Sequence, residues 1–112
     1  MIFHCTFLTG EVSIEWLNTD GESKSPYDLK ISFADSARAL PIFIEVKTTL
    51  NDERKHFSIS SQQLKFAFDQ GSCFHLYRVS NVHKGARDAK IKRLVNLSSY
   101  MDRKAVKLYM LL

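Results

Sequence analysis

Apolar and polar residues alternate with period two over two early stretches of the chain, and a short apolar run follows them. All three stretches are predicted to be β-strands. They are residues 11–17 (EVSIEWL), 27–33 (YDLKISF) and 42–46 (IFIEV). In the first of them Val12, Ile14 and Trp16 share one face, so Trp16 is expected in the core. Residues 1–8 are apolar and aromatic, and we expect them to form an edge strand or the remnant of a larger element.

The middle of the chain changes from strand spacing to helical spacing. Ser60 is predicted to cap a helix, because Gln63 at the third helical position can complete a reciprocal capping box. Leu64 and Ala67 follow at helical spacing, and Gly71 is predicted to end the helix. Capping is a sufficient structural reason for Gln63, although a helix starting there also brings this side chain near the end of residues 42–46.

The last third of the chain contains one clear strand pattern and several weaker ones. Residues 73–82 (CFHLYRVSNV) predict a strand, and residues 90–94 are short and amphipathic. Ser98 or Ser99 is a candidate cap for one helical turn. Residues 105–112 fit both helical and strand periodicity, so the pattern alone leaves their structure open.

The order of these elements predicts an α/β or α+β fold. Three strands in meander order would form a mixed central β-sheet, with the helix crossing over to a fourth strand. The 112 residues, 45% hydrophobic and 25% charged, suffice for one domain with one core. No apolar run is long enough to span a bilayer, and residues 1–10 lack the features of a signal peptide. We therefore expect an intracellular protein, nuclear or cytoplasmic, with no membrane partner.

Candidate chemistry lies where the second and third strands meet. In a strand, residues two apart share a face, so Glu45 and Lys47 project together. Asp28 opens the preceding strand, and pairing of the two strands would place its carboxylate beside that of Glu45. Adjacent carboxylates repel one another and favour a bound divalent cation, and a neighbouring lysine can hold or activate a water. The alternative is that Glu45 and Lys47 form the solvated face of an edge strand, with Asp28 in a turn.

The basic residues are concentrated at the C-terminal end of the chain. Residues 83–112 contain eight basic and two acidic residues, whereas residues 1–82 contain eight basic and ten acidic ones. Such a cluster can neutralise nucleic-acid phosphates, or it can simply be a solvated face. The predicted nucleic-acid contacts are Lys84, Arg87, Lys90, Lys92 and Arg93.

Six short segments carry a resemblance to a known family. They are Trp16-Leu17-Asn18, Glu22-Ser23, Pro26-Tyr27-Asp28, Glu45-Val46-Lys47-Thr48, Phe57-Ser58-Ile59-Ser60 and Phe66-Ala67. In order and spacing they resemble the domain family named after the C-terminal region of the protein NO VEIN. That family is assigned to the PD-(D/E)xK nuclease superfamily, whose signature has here the form P-Y-D, a gap, and E-V-K.

The resemblance implies a restriction-endonuclease-like core and a metal-dependent site. Asp28 and Glu45 would hold one or two Mg²⁺ or Mn²⁺ ions together with the backbone carbonyl of Val46. Lys47 would orient or deprotonate the water that attacks a phosphodiester.

Two departures from the family pattern accompany the resemblance, and one further side chain is a candidate. Gln63 stands where relatives carry an acidic residue, and the helix that usually precedes the first core strand has no counterpart in residues 1–10. Glu22, on the polar turn before Pro26, is a candidate further carboxylate or a simple loop residue. For residues 105–112 the resemblance favours a strand.

These observations predict a divalent-metal-dependent nuclease that hydrolyses phosphodiester bonds, with DNA favoured over RNA as its partner. One alternative is a catalytically inactive module that binds nucleic acid or a protein partner within a larger multidomain chain. Another is a purely structural interaction domain. Because many nucleases of the superfamily cut both strands as dimers, a homodimer is a further expectation to test.

Overall fold

A computed structural model describes residues 2–7, 10–17, 25–34, 40–50, 56–82 and 87–109, with side chains from Val12 onward. Six strands form one sheet in the order of the chain. They are β1 (Ile2–Phe7), β2 (Gly10–Trp16), β3 (Leu29–Phe33), β4 (Ile42–Thr48), β5 (Phe74–Ser80) and β6 (Lys90–Val95). Two helices accompany the sheet, α1 (Ser61–Gln70) and α2 (Leu97–Asp102), and a short 3₁₀ turn (Gly71–Cys73) follows α1.

The sheet is mixed. Strands β1 to β4 pair antiparallel in succession, β5 lies parallel to β4, and β6 is antiparallel to β5. The parallel pair requires a crossover, which α1 provides. The predicted α+β fold with a mixed sheet, an antiparallel meander and a crossover helix is confirmed. The residues expected as an edge strand form β1, and the amphipathic segment near residue 90 adds β6.

Helix α1 begins and ends where its sequence predicts. The Ser60 hydroxyl accepts a hydrogen bond from the Gln63 amide N–H at 3.0 Å, and Gln63 Oε1 accepts one from the Ser60 N–H at 3.2 Å. This reciprocal pair satisfies two backbone donors that helix geometry leaves open. At the other end Gly71 has φ 56°, which favours glycine, and its N–H donates to the Ala67 carbonyl.

The core lies between one face of the sheet and the two helices. Its buried residues come from β4, β5 and β6 and from the sides of the two helices that face the sheet. They are Phe43, Ala67, Phe74, Leu76, Leu94 and Leu97. Three aromatic rings extend this core toward β3, with centroid separations of 4.8 Å for Tyr27 and Phe43, 5.3 Å for Tyr27 and Phe66, and 5.0 Å for Phe43 and Phe66. Since Tyr27 precedes Asp28 and Phe43 lies two residues before Glu45, this cluster supports the start of β3 and the part of β4 that carry the two carboxylates.

The expectation that Trp16 is a core residue is wrong. Trp16 is 41% exposed, and its register with Leu29 places it on the sheet face opposite to Phe43. In the part of the chain that the structure describes, both helices pack against the Phe43 face. Alternation correctly gave the side chains that share a face with Trp16, but it could not tell which face the helices would cover.

Two expectations near the C-terminus are also wrong. Helix α2 follows Asn96, which has φ 66° and makes no side-chain cap, so Ser98 and Ser99 lie inside the helix. Residues 105–109 form neither strand nor helix, because the N–H groups of Ala105 and Val106 donate to the Tyr100 carbonyl at the end of α2. Residues 110–112 lie outside the described residues. No helix in the described part of the chain is long and apolar enough to cross a membrane.

Candidate active site

Pairing between β3 and β4 brings Asp28 beside Glu45. Leu29 is opposite Ile44 in the antiparallel register, and the Asp28 N–H donates to the Ile44 carbonyl at 2.8 Å, so pairing continues one residue before β3. The Asp28 carboxylate turns toward β4, where its Oδ2 accepts a hydrogen bond from the Val46 N–H at 2.8 Å. The carboxylate of Asp28 is therefore fixed on the backbone that carries Glu45.

Glu45 is a buried carboxyl group in an unfavourable electrostatic setting. It is only 5% exposed. Burial, followed by the negative charge of Asp28, raises the pKa of Glu45 from 4.5 to about 7, although the charge of Lys47 acts in the opposite direction. The protonated form of Glu45 is therefore stable up to about pH 7, and a bound cation would favour the charged form.

Lys47 projects from the same face of β4 and reaches back to Glu45. Its Nζ lies 3.3 Å from Glu45 Oε1 and 3.1 Å from Gln63 Oε1, and 19% of its side chain remains accessible to solvent. A partly accessible ammonium group next to the buried Glu45 carboxyl can contact a bound phosphate while still neutralising part of the carboxylate charge.

Gln63 connects helix α1 to this site. Its Nε2 donates to Glu45 Oε1 at 2.8 Å, while its Oε1 accepts from Lys47 Nζ and from the Ser60 N–H. The Gln63 side chain therefore both completes the cap of α1 and contacts the charged residues of the site, so the two roles that its sequence position suggests occur together. The capping-box pattern is the sequence signal that locates it, because the box fixes the amide at the first turn of α1.

Three of the residues predicted from the sequence as accessory or nucleic-acid-binding are not placed at the site by the structure. Glu22 and Lys84 lie outside the described residues. Arg87 is exposed in the turn that leads into β6. Among the predicted site residues that the structure describes, Asp28, Glu45, Lys47 and the backbone of Val46 lie together, with Gln63.

The basic residues of β6 divide between the two faces of the sheet. Leu94 is buried under the helices, so Lys92 and Lys90 share its face with the candidate site. Arg93 projects from the opposite face, where it pairs in register with Tyr77. Arg93 is therefore separated from Lys90 and Lys92 by the sheet, since adjacent strand residues point in opposite directions. The nucleic-acid contacts assigned to these residues stay predictions.

Arg78 is not among the residues predicted from the sequence, although the period-two spacing of β5 predicts the face on which it lies. It follows Phe74 and Leu76 at period two and is directly opposite Lys47 in the parallel register. Its Nη2 donates to the His56 carbonyl at 3.5 Å, and its guanidinium carbon lies 5.0 Å from the centre of the Phe57 ring. Arg78 therefore adds a positioned cation to the same face as Lys47.

The oxygen atoms at this site are of the type that a hard divalent cation prefers, but they are too few to complete its coordination shell. Mg²⁺ prefers carboxylate and carbonyl oxygens and keeps several waters, as Asp28 and Glu45 would allow. Within the described residues no group of three or more His, Cys, Asp or Glu side chains could hold a metal. The N–H and C=O of a strand residue point to the same neighbouring strand, so the Val46 carbonyl is directed toward the Asp28 side. Two carboxylates and one carbonyl are thus the protein ligands that this part of the chain offers.

A separate apolar groove lies between α1, α2 and the segment before α1. Its volume is about 530 Å³, and its walls include Phe57, Ile59, Leu64, Met101 and Val106. None of the residues that make up the candidate site lines it. The groove is therefore a distinct feature of the helical layer.

Comparison with known proteins identifies the family. Searches of the curated proteins and of the solved structures found no match. The family model described as "Protein NO VEIN, C-terminal" matches residues 3–94 of the 112, which include every residue of the candidate site. With most of its length matched, the chain belongs to the NO VEIN C-terminal domain family.

Proposed function

We propose that this domain is a divalent-metal-dependent nuclease of the PD-(D/E)xK type, acting on the phosphodiester bonds of nucleic acid. The observation that carries the proposal is the arrangement at the β3–β4 pair. Asp28 accepts the Val46 N–H at 2.8 Å, directly beside Glu45, and Lys47 Nζ lies 3.3 Å from Glu45 Oε1. An exposed edge with solvated charges would not bury Glu45 in this way.

Each residue has a role that its position supports. Asp28 and Glu45 would hold Mg²⁺ or Mn²⁺, one or two ions, with the Val46 carbonyl. The bound cation would supply Lewis-acid stabilisation of the charge that develops on the phosphate. Lys47, anchored on Glu45 and Gln63, would orient the attacking water as an ammonium group, or accept the proton of the water after losing one of its own to solvent. Gln63 would keep both charged side chains in place from the capped end of α1.

A second candidate function is supported by the same hydrogen bonds. Gln63 is neutral at a position near both charged groups, and it donates to Glu45 rather than adding a third carboxylate. With fewer acidic ligands the affinity for metal is lower, which favours a nucleic-acid-binding module without cleavage activity. In that case binding would persist with a chelator present.

The two functions are separated by a metal titration and a cleavage assay on the same variants. Mn²⁺ is titrated calorimetrically into the wild type, Asp28→Asn and Asp69→Asn. Asp69 is the matched control, because it is exposed on α1 and paired with Lys65 at 2.8 Å. Each protein is then incubated with labelled single-stranded and double-stranded DNA and RNA, in Mg²⁺, in Mn²⁺ and in a chelator.

A nuclease is expected to bind Mn²⁺ and to cleave at least one substrate, DNA more efficiently than RNA. Asp28→Asn should lose both properties, and Asp69→Asn should keep both. Absence of Mn²⁺ binding at millimolar concentration would overturn the catalytic proposal. Nucleic-acid binding retained in chelator would then support the second function.

A further inference from the structure

Three cationic side chains form a straight row across the last three strands of the sheet. Lys47 is in register with Arg78 on β5, and Arg78 is in register with Lys92 on β6. Since neighbouring strands lie about 4.8 Å apart, the row is about 10 Å long and runs perpendicular to the strands. Its first member belongs to the candidate active site.

The row lies on the helix-side face, beyond the part that the helices cover. Leu76 and Leu94 are buried under the helical layer, whereas Lys92, two residues before Leu94 on the same face, is exposed. Lys90 is the next residue on that face and is opposite Ser80. The cations are thus at the surface on the β6 side, and on the β4 side the row ends at Lys47, which contacts the buried Glu45.

Among the described residues, the two strands that carry Arg78 and Lys92 contribute no acidic side chain. Neither β5 (FHLYRVS) nor β6 (KIKRLV) contains an acidic residue, and the first turn of α1 contains none. Glu45, at the end of the row, is already within 3.3 Å of Lys47. The nearest acidic residue in the chain before β6 is Asp88, which is exposed in the preceding turn.

We propose that Lys47, Arg78 and Lys92 bind successive phosphates of one nucleic-acid strand that crosses β6, β5 and β4 and ends at the carboxylates. The proposal rests on the proposed function for its endpoint at Lys47. One strand of a duplex carries a charge about every 3.4 Å along the axis, so three successive phosphates span about 7 Å of axis, a length comparable to the row of about 10 Å. The row therefore gives the substrate a direction across the sheet.

Arg78 is the centre of this track because its guanidinium is held in a defined orientation. The His56 carbonyl accepts a hydrogen bond from it at 3.5 Å, and its central carbon lies 5.0 Å from the centre of the Phe57 ring. A planar guanidinium recognises phosphate oxygens in a fixed geometry, which a mobile lysine does not do. Arg78 is thus a binding residue for the phosphate next to the one at Lys47.

Adjacent residues on β6 provide a matched test. Lys92 and Arg93 are both exposed and both cationic, but they project from opposite faces of the sheet. Affinity for short fluorescein-labelled single-stranded and duplex oligonucleotides is measured with a chelator present, so that no cleavage occurs. Lys92→Gln is expected to weaken binding about three- to tenfold and to reduce the slope of log K against log salt by about one. Arg93→Gln is expected to change neither.

Arg78 is tested with two substitutions, because it also contacts His56 and Phe57. Arg78→Gln should weaken binding at least as much as Lys92→Gln. Compared with Arg78→Gln, Arg78→Lys should restore most of the slope of log K against log salt but less of the affinity for the oligonucleotide. The positive charge returns in this variant, but the planar geometry of the guanidinium does not. Unfolding is followed for each variant, so that a loss of structure is recognised.

The outcomes separate this proposal from the proposed nuclease function. Binding that depends on Lys92 and Arg78 but not on Arg93 supports the row, even when no cleavage is found and the nuclease proposal fails. Equal effects of Lys92→Gln and Arg93→Gln would overturn the row, even when metal-dependent cleavage is present. A wild-type protein that binds none of the oligonucleotides would also overturn it.

Discussion

The side-chain amide of Gln63 donates a 2.8 Å hydrogen bond to Oε1 of Glu45, joining the first turn of α1 to the middle of β4. The same Glu45 oxygen lies 3.3 Å from Lys47 Nζ. Gln63 thus positions a carboxylate and an ammonium group without adding charge of its own. The charge at position 63 should therefore control both the stability of the site and its affinity for metal.

Replacing Gln63 with glutamate adds a carboxylate beside Glu45. The Gln63→Glu side chain can still accept from the Ser60 N–H and from Lys47, but its ionised form cannot donate to Glu45. We expect Mn²⁺ affinity to rise about tenfold, and stability without metal to fall by about 1–2 kcal/mol at pH 8 because of like-charge repulsion. Calorimetric titration and thermal unfolding with and without Mn²⁺ measure these effects.

The control for this change is Gln62→Glu. Gln62 is the preceding residue on α1 and is exposed, so a charge there interacts favourably with the helix N-terminus but not with Glu45. It should leave Mn²⁺ affinity unchanged. Equal gains in affinity from both substitutions would show that general negative charge, rather than a ligand at position 63, attracts the metal.

The raised pKa of Glu45 predicts an unusual dependence of stability on pH. Because the folded state holds the Glu45 proton up to about pH 7 and the unfolded state loses it near 4.5, the contribution of Glu45 is fully present below about pH 4.5. It is lost progressively as the pH rises to about 7. At 1.36 kcal/mol for each pKa unit, the loss is at most about 3 kcal/mol.

Glu45→Gln removes this titration while keeping a similar shape and an acceptor for Gln63. Its free energy of unfolding relative to the wild type should therefore increase between pH 5 and pH 8, making it the more stable protein at pH 8. Denaturant unfolding at a series of pH values measures the difference, with Asp69→Asn as the exposed control. A difference that stays constant with pH would contradict the raised pKa.

The local patterns predicted most of the fold, since they depend on neighbours in the sequence. Alternation placed β2 and β3, a short apolar run placed β4, and the capping box located α1. The exposure of Trp16 depends on which face of the sheet the helices cover. The conformation of residues 105–109 depends on backbone hydrogen bonds to the Tyr100 carbonyl. No local sequence pattern contains either piece of information.

The candidate site was predictable to a similar degree. Asp28, Glu45 and Lys47 came together because strand pairing and period two are enough to place them. The link through Gln63 needed the packing of a helix on the sheet, so the sequence could offer only alternatives for it. Period two along β5 predicts the face on which Arg78 lies, as it does for Lys47 on β4. The position of Arg78 directly opposite Lys47, however, depends on the parallel register of β4 and β5.

Support for the two carboxylates should come from the aromatic cluster beneath them. Phe66 contacts the rings of both Tyr27 and Phe43, at centroid distances of 5.3 Å and 5.0 Å. Phe66→Ala should lower the free energy of unfolding by about 2–4 kcal/mol, through lost burial and the cavity that remains. Phe68→Ala is the control on the same helix, because Phe68 is 43% exposed, and it should cost less than about 1 kcal/mol. Similar losses in the two variants, measured by denaturant unfolding, would contradict this packing.

Lys47 allows metal binding and chemistry to be separated. Its charge lowers the pKa of Glu45, so Lys47→Met should raise that pKa further and weaken Mn²⁺ binding at pH 7. Raising the pH to about 8.5 ionises Glu45 again and should restore metal binding. Cleavage, however, should remain at least about 100-fold below the wild type, because the group that orients or deprotonates the water is absent. Lys65→Met, on the exposed surface of α1, serves as the control. Recovery of cleavage together with metal binding at pH 8.5 would show that Lys47 acts only by setting the charge of Glu45.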